Sequence, residues 1–547
     1  MHKSSLTQSL DYSNPAIQAL LTERSNLTNE NASLRGDLQH LKDSVNYLEE
    51  MLRRALRQRF GSSSESSRHP ASKAMFNESE FEASQDEDNS TLPTPERKNK
   101  KRGMPVRRPL PKNLPREIKI IDLTPEEKKC ALSGAPLIQI GEEVTEQLDI
   151  EPATMKVIET HRLKYVCHCA QCQSLEGEPT TAGSPVKVIQ CAPLPAQAIP
   201  KSMATPGLLA MIATNKFEMA LPLYRQETFF KRLNVDLKRS TMGSWMVRCG
   251  KLVQPLINLM WDELKTSPLI FGDETPLQVH KGTGRPSTAK SYMWAFMRGG
   301  RTGPPIALYE LGPSRSHKVA LRYLEDYHGY LHTDGYEAYA TLASKCPGIT
   351  LVGDWVHVRR RFDEAIKAQP DPQSSKIKAK VPFVLINELF AIEREIADQS
   401  DDERIRIRQS RSQPLVDAIK VWADENRNLI PPKSLTGTAI TYFLGQWPKL
   451  SYFLKDARVG LDTNAIENKI RPFVIGRRNW LFSDTLAGAE ASAALYSLIV
   501  TAKCNNLNAF DYLKAVFTEL PKTTTVEQIE ALLPWRWTPP TPLLSKN

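Results

Sequence analysis

Near the start of the chain, hydrophobic positions repeat every seven residues. Leucine recurs at positions 20, 27, 34, 41 and 48, the d positions of a heptad repeat, and Asn31 stands at an a position. Leucine at every d position favours a parallel dimer, and a buried Asn31 fixes its register at some cost in stability. The pattern therefore predicts a coiled coil over residues 15–57. The alternative is a single amphipathic helix that packs against its own protein.

A second pattern, an apolar run that leads into an acid, occurs twice in the middle of the chain. Residues 268–276 run through Leu-Ile-Phe-Gly into Asp273, and residues 329–336 lead likewise into Asp334. Such runs are typical of buried strands, and Pro276 is expected to end the first of them. A single acid after a strand is most simply a turn residue. Two of them in one α/β region predict a divalent-metal site.

The segments around these acids alternate between strand and helix patterns. Residues 370–448 show helical patterns without a strand signal, which predicts an all-α insertion into an α/β unit. A short helix then begins at Asn464 and is expected to stop at Pro472. It carries Glu467, the candidate third metal ligand, although a surface pair of Glu467 with Arg471 explains the same spacing. The predicted strands are 291–297, 305–311, 330–332 and 349–352, and the predicted helices are 318–326, 337–344 and 355–367.

Between residues 206 and 250 the pattern is helical, with a break at residues 234–236. Ser240 is predicted to cap the second helix. Basic residues lie on both sides of the break, and Arg225 and Arg239 are the predicted DNA contacts of a helix-turn-helix. An ordinary helical hairpin within a hydrophobic core explains the pattern equally well.

Three of the eight cysteines fall within residues 167–172, and the spacing of the last two is that of a zinc knuckle. Ser133 stands where a partner thiol for Cys130 is expected. The region 119–192 is therefore either a zinc site or a degenerate finger that holds no metal. The candidate ligands are Cys130, Cys167, Cys169 and Cys172, with His161 and His168 as alternatives.

The charge of the chain favours a polyanionic partner. With 547 residues the chain exceeds a single core, and it has a net charge of +10 and a pI of about 9.0. Residues 58–118 are predicted to be a disordered linker with a basic second half, which either binds phosphates or is simply solvated. The predicted phosphate contacts in it are Lys100, Lys101, Arg102, Arg107 and Arg108.

The same composition argues against a secreted or membrane protein. The N-terminal residues lack an apolar signal segment, and no apolar run approaches the roughly 20 residues that span a bilayer. Eight cysteines in so long a chain do not form a disulfide framework. We expect a cytoplasmic protein that associates with the nucleoid and has no membrane partner.

Several longer motifs occur in an order that resembles the DDE transposases of insertion sequence family sixty-six. The resemblance covers most of the chain and implies a multidomain protein with an α/β ribonuclease-H-like core. It also implies an N-terminal zipper, a zinc-binding region, a helix-turn-helix and a tail domain. The motifs are Leu110–Glu117, Leu221–Gln226, Asp273–Val279, Thr333–Tyr336, Val356–Phe362, Glu467–Pro472 and Gly476–Trp480.

By this resemblance, Asp273, Asp334 and Glu467 form the catalytic triad and hold two Mg²⁺ ions, for which Mn²⁺ substitutes. Ser133 departs from the family pattern, and so does Asp354, which stands where the family often has a cysteine. The implied layout is a coiled coil (15–57), a linker (58–118), a zinc-finger-like region (119–192), a helix-turn-helix region (200–262), a core (266–369 and 456–488), a helical insertion (370–455) and a tail domain (489–535).

The implied activity is cleavage at the ends of an insertion sequence, followed by joining of the freed 3′-hydroxyl to target DNA. A homodimer formed through the coiled coil and accessory proteins of the same element are the implied partners. Two other classes stay open: a DNA-binding protein with an inactive core, and a ribonuclease-H-like nuclease without strand transfer. The residues expected to hold phosphates near the triad are His357, Arg359, Arg360, Arg471, Arg477 and Arg478.

Overall fold

The computed structural model describes residues 15–60, 157–161, 164–166, 189–191, 195–281, 289–301 and 303–539. The chain divides into two units, one of residues 64–163 and one of residues 1–63 with 164–547. In the first of these, the described residues 157–161 are exposed and form neither helix nor strand. The four candidate zinc cysteines and the five basic residues of the linker lie outside the described ranges.

The second unit contains the strands and helices that position the candidate site. The strands are β1 (Lys164–Val166), β2 (Ile189–Cys191), β3 (Leu269–Lys281), β4 (Lys290–Arg298), β5 (Ala307–Gly312), β6 (Gly329–His332), β7 (Ile349–Val352) and β8 (Ser483–Thr485). The helices before and within the sheet are α1 (Pro15–Phe60), α2 (Pro206–Phe217), α3 (Leu223–Arg232), α4 (Arg239–Leu252), α5 (Gln254–Lys265), α6 (His317–Leu324), α7 (Glu337–Lys345) and α8 (Trp355–Lys367).

The later helices complete the unit. They are α9 (Lys380–Glu395), α10 (Asp401–Ile407), a π-helical turn (Arg408–Ser412), α11 (Gln413–Asn426), α12 (Leu435–Leu450), α13 (Asn464–Trp480), α14 (Leu486–Cys504), α15 (Ala509–Glu519) and α16 (Val526–Glu530). Within the described ranges, no helix combines the length and the apolar character needed to cross a bilayer.

The central sheet is mixed, with the strand order β5-β4-β3-β6-β7 and with β8 added beside the far end of β3. Strands β3, β4 and β5 are antiparallel neighbours, whereas β6 and β7 run parallel to β3. Phe271 of β3 pairs with His332 of β6. Asp273 follows Phe271 by two residues, and Asp334 follows His332 by two residues. The two aspartates therefore lie at the same level along the sheet.

Strand β3 continues through Pro276 to Lys281, so the prediction that Pro276 ends the strand is wrong. Pro276 pairs with Tyr292 of β4 on one edge. On the other edge β3 has no partner between Phe271 and Val279. An unpaired edge accommodates a residue without an N–H. Asp273 therefore lies inside a long strand, beside the gap in the sheet, and not at a strand end.

One continuous cluster of buried side chains connects the helices before the sheet, the sheet itself and the helices after it. Helix α14 covers the outer edge of β5, where Ser497 accepts a hydrogen bond from the N–H of Tyr309 (2.8 Å) and Thr501 accepts one from Ala307 (3.0 Å). Covering an edge strand in this way satisfies its backbone groups. Residues 200–262 and 489–535, predicted as separate regions, thus share one core with the sheet.

The helical insertion has a second core, which it shares with α8. Trp355 of α8 is buried there and donates its indole N–H to the carbonyl of Leu450 in α12 (3.0 Å). The fully buried Arg408 pairs with Glu393 and donates to the carbonyls of Phe453 and Val459. Residues 380–450 form helices without a strand, as predicted, and α8 shares their core.

The predicted break between two helices is confirmed, but its details differ. Helix α4 begins at Arg239 after Lys238, so the prediction that Ser240 caps it is wrong. Gly250 of α4 approaches Ala491 of α14 so closely that an added Cβ would lie 2.6 Å from it. One face of α4 therefore packs inside the core, as expected for a helical hairpin, and DNA contact by α3 and α4 stays a prediction.

The N-terminal helix α1 is 46 residues long, and its heptad leucines Leu27, Leu34, Leu41 and Leu48 are exposed. Its last turns contact the junction between α8 and the insertion. Glu50 accepts a hydrogen bond from the N–H of Leu435 (3.0 Å), and Arg53 donates to the carbonyl of Ala368 (2.7 Å).

Candidate catalytic site

Three carboxylates converge from three separate elements. Asp273 lies in β3, Asp334 in the loop after β6, and Glu467 in the first turn of α13. Asp273 accepts a hydrogen bond from the N–H of Glu274 (2.8 Å), and Asp334 accepts one from the N–H of Tyr336 (2.9 Å). These local bonds fix the orientation of both aspartates. The charges of Asp334 and Glu467 both act on Asp273, and a catalytic role for the three acids stays a prediction.

The electrostatics of Asp273 reflect the crowding of acids. Its burial raises the pKa of its carboxyl to about 7, and the neighbouring charges of Glu274, Asp334 and Glu467 act in the same direction. Like charges held close together and away from water disfavour ionisation. A divalent cation relieves this repulsion, so the set of oxygen donors around Asp273 fits a hard cation such as Mg²⁺.

The three acids do not form a compact ligand set for one ion. Among the described residues, the group whose ligand atoms all lie within 4.8 Å of one another is Asp354, His357 and Glu467. One Mg²⁺ at about 2.1 Å from each oxygen requires ligand atoms within about 4.2 Å of one another. A pair of ions about 3.5–4 Å apart accepts a wider spread. Asp273 and Asp334 are not part of this group.

Asp354 is a structural residue, because hydrogen bonds use both of its oxygens. One oxygen accepts from the N–H groups of Val356 (2.5 Å) and His357 (3.2 Å) and so caps α8. The other accepts from the N–H (3.0 Å) and hydroxyl (2.6 Å) of Thr463, which precedes α13. Asp354 thereby joins the beginnings of the two helices that carry His357 and Glu467, and this accounts for an acid at this position.

His357 is the direct partner of Glu467. Its Nε2 lies 3.6 Å from Oε1 of Glu467, and both side chains are partly exposed. The carboxylate raises the pKa of His357, and the imidazole in turn lowers the pKa of Glu467, with smaller contributions from Arg360 and Arg471. Glu467 also lies at the positive end of the α13 dipole. The pKa of Glu467 is therefore shifted in the opposite direction from that of Asp273.

Helix α13 passes through Pro472 and ends at Trp480, so the prediction that Pro472 stops it is wrong. Pro472 has no N–H for the preceding turn. In that turn, the hydroxyl of Tyr309 donates a hydrogen bond to the carbonyl of Lys469. Beyond the proline, Arg477 donates to the hydroxyl of Thr275 (3.0 Å) and to the carbonyl of Pro276. Arg477 thus anchors α13 to β3.

The other predicted DNA contacts have different surroundings. Arg359 points to the insertion, where it donates to Asn387 (3.2 Å) and lies over the ring of Phe390. Arg225, Arg239 and Arg478 are exposed. His357, Arg360 and Arg471 are the predicted contacts whose charges act directly on Glu467.

Sequence reasoning missed a second set of residues around Asp334. Glu274, next to Asp273, is buried and accepts a hydrogen bond from the hydroxyl of Tyr339 (2.7 Å). Arg315 pairs with Glu274 at 2.6 Å and lies over the ring of Tyr336. The adjacent acids at positions 273 and 274 are visible in the sequence and could have pointed to Glu274. Arg315, in a loop between a strand and a helix, gave none.

Four family descriptions match successive parts of the chain. Residues 201–491 match the transposase IS66 family, and residues 497–535 match the IS66 C-terminal element. Residues 127–173 match the zinc-finger binding domain of transposase IS66, and residues 47–118 match the homeodomain described as transposase C of IS166. No membrane or secreted family is among these matches.

Three curated proteins of Sinorhizobium fredii (strain NBRC 101917 / NGR234) are similar over most of their length. The uncharacterized protein y4jD is 34% identical over 438 residues, which cover 78% of this chain and 81% of y4jD. The uncharacterized proteins y4hP and y4qI are each 31% identical, over 80% and 77% of this chain and 78% and 76% of their own lengths. Together with the family matches, these similarities show that the chain belongs to the IS66 family of transposases.

Proposed function

We propose that this chain is a DDE transposase that cleaves DNA at the ends of an insertion sequence and joins those ends to target DNA. The observation that carries the proposal is the proximity of three acids far apart in the sequence, because the charges of Asp334 and Glu467 both act on Asp273. A chance surface cluster has no reason to bury an acid beside two others. Membership of the transposase family supplies the substrate class.

The strand order supports a ribonuclease-H-like core. Three antiparallel strands are followed by two strands parallel to the first, with one acid in the central strand and one after its parallel neighbour. The third acid comes from a helix that packs across β3. Between the two aspartates, the edge of β3 has no strand partner.

Asp273, Asp334 and Glu467 are the residues that would hold Mg²⁺ or Mn²⁺. When bound, such ions lower the pKa of the attacking hydroxyl or water and stabilise the leaving oxygen in phosphodiester displacement. Other residues near the acids bind the DNA or hold the helices in place. His357, Arg360 and Arg471 flank Glu467 and bind phosphates, while Asp354 keeps α8 and α13 together.

The N-terminal part supplies assembly and recognition. The exposed heptad leucines of α1 support a homodimer through a coiled coil, which lets two subunits hold two element ends. The zinc-finger match supports zinc binding by Cys130, Cys167, Cys169 and Cys172. Accessory proteins of the element and association with the nucleoid complete the proposal.

The test uses the full-length protein, Mg²⁺ and labelled duplexes that carry the element's ends. The wild type is expected to give cleaved ends and joined products. Glu467→Gln is expected to abolish both while it still binds the ends, and Glu490→Gln, an exposed acid on α14, serves as the matched control. Binding without cleavage by the wild type would indicate an inactive core, and cleavage without joining would indicate a nuclease. Either result contradicts the proposal.

A further inference from the structure

Arg315 enters the acid cluster from the loop between β5 and α6. Its Nε and Nη2 both lie 2.6 Å from Oε1 of Glu274, and Nη2 lies 3.9 Å from Oδ2 of Asp334. The Cζ atom of the guanidinium lies 3.8 Å from the ring centre of Tyr336. Arg315 is thus a fixed cation beside Asp334, whereas His357 is the cation-forming partner of Glu467.

The surroundings of Arg315 hold it in one position. Glu274 is buried, and its second oxygen is occupied by the hydroxyl of Tyr339. A buried carboxylate without a cationic partner is costly, so Glu274 retains the guanidinium. At the other end of the residue, the hydroxyl of Tyr336 donates to the carbonyl of Arg315 (3.1 Å). An arginine held in this way loses little further entropy when it binds a ligand.

This arrangement leaves part of the guanidinium available. The side chain is 39% exposed, and its Nη1 makes no hydrogen bond to any group that the structure describes. At 3.9 Å, the approach to Asp334 is an ion pair and not a hydrogen bond. The pair with Glu274 uses the edge of the guanidinium that carries Nε and Nη2. The edge with Nη1 remains a donor beside the acid cluster.

We propose that Arg315 binds a phosphate oxygen of the DNA strand at the candidate catalytic site, and that Glu274 and Tyr336 hold it for this purpose. The identity of the ligand as DNA rests on the proposed function. A planar fork of N–H donors suits a phosphate group better than a point charge does. Arg315 serves the Asp334 side of the site, as His357 serves the Glu467 side.

The experiment measures binding of a labelled element end by fluorescence anisotropy, with the full-length protein and Ca²⁺, at several salt concentrations. Because each phosphate contact contributes about 0.9 to the slope of log K against log salt, Arg315→Ala is expected to lower that slope by about 0.9. We expect a loss of affinity of about three- to tenfold. Arg322→Ala, an exposed arginine on the following helix, is the matched control and keeps both values.

A second pair of variants separates the loss of a phosphate contact from a loss of stability. Arg315→Ala leaves Glu274 unpaired, so Arg315→Ala with Glu274→Gln is compared with Glu274→Gln alone, and the difference in slope is expected to remain about 0.9. Methylphosphonates placed at single positions of the DNA identify the phosphate involved. The wild type is expected to lose affinity at one position to which the Arg315→Ala protein is insensitive.

The outcomes separate this inference from the proposed function. An unchanged slope, or an unchanged methylphosphonate pattern, shows that Arg315 only neutralises Glu274 and overturns the inference. A wild type that binds ends without cleaving them contradicts the proposed function and leaves the role of Arg315 standing. A wild type that binds no DNA overturns both.

Discussion

Replacement of Asp273 by Asn has opposite expected effects on stability and on catalysis. In the folded chain without metal, burial and neighbouring acids raise the pKa of Asp273 from 3.8 to about 7. The folded state therefore holds a proton that the unfolded state releases. Stability is lost as the pH rises between these two values, and the loss is complete above about pH 7. Asn removes the ionisable group but still accepts the hydrogen bond from the N–H of Glu274.

The structure gives the size of this effect. The difference between 3.8 and about 7 corresponds to about 4 kcal/mol, and partial exposure to solvent reduces it to roughly 2 kcal/mol. The part of this unit that holds the sheet and its helices, residues 195–539, has an unfolding entropy of about 0.7 kcal/mol/K. At pH 8 without divalent ions, we therefore expect Asp273→Asn to raise Tm by about 3–6 °C. At pH 5 about a third of this effect is already present, because Asp273 is ionised in the unfolded chain and protonated in the folded one, so the difference in Tm should shrink to about 1–2 °C.

Differential scanning fluorimetry at pH 5 and pH 8, with EDTA and with Mn²⁺, tests this prediction. Mn²⁺ should stabilise the wild type at pH 8 and have less effect on Asp273→Asn, and cleavage should be lost in the variant while end binding is retained. Asp326→Asn, an exposed aspartate after α6, is the control and should melt like the wild type. A variant that is less stable at pH 8 without metal refutes the argument that burial and neighbouring acids make an ionised Asp273 unfavourable.

Three further results are expected. Tyr442→Phe removes the hydrogen bond to the carbonyl of Asp334 and should slow cleavage about five- to tenfold at a cost of about 1 kcal/mol in stability, measured by kinetics and thermal melting. Asp354→Asn exchanges an acceptor for a donor facing Thr463 and should destabilise the fold by about 2–3 kcal/mol, measured by denaturant unfolding. Lysine at both Leu34 and Leu41 should convert a dimer into a monomer in sedimentation experiments, and an unchanged mass would exclude the coiled coil.

The sequence predicted which segments form helices and strands more accurately than it predicted where those helices and strands end. The two prolines expected to end elements, Pro276 and Pro472, both lie inside longer ones. At Pro276 the explanation is tertiary, because β3 has an unpaired edge there. At Pro472 the carbonyl that loses its N–H partner is that of Asn468, one residue before the carbonyl that Tyr309 bonds. Local rules for proline state the cost of a missing N–H. They do not state whether the surrounding fold has already removed the need for it.

The elements that carry the candidate acids were predictable, whereas most of the residues that hold these acids were not. Asp273 and Asp334 each follow an apolar run, and strand pairing then brings them together. Arg315 and Tyr442 reach the site from a loop and from the insertion. Their positions depend on how helices pack on the sheet, and this packing leaves no local pattern in the sequence.

The helical insertion is best understood as part of the site and not as a separate module. Gly335 has a φ of +87°, and Gln446 and Tyr442 of α12 lie about its Cα so closely that an added Cβ would be 3.1 Å from each. Tyr442 also donates to the carbonyl of Asp334. Asp334 is thus fixed by the sheet on one side and by α12 on the other. Because α12 packs on α8, which carries His357, the insertion couples the position of Asp334 to that of Glu467.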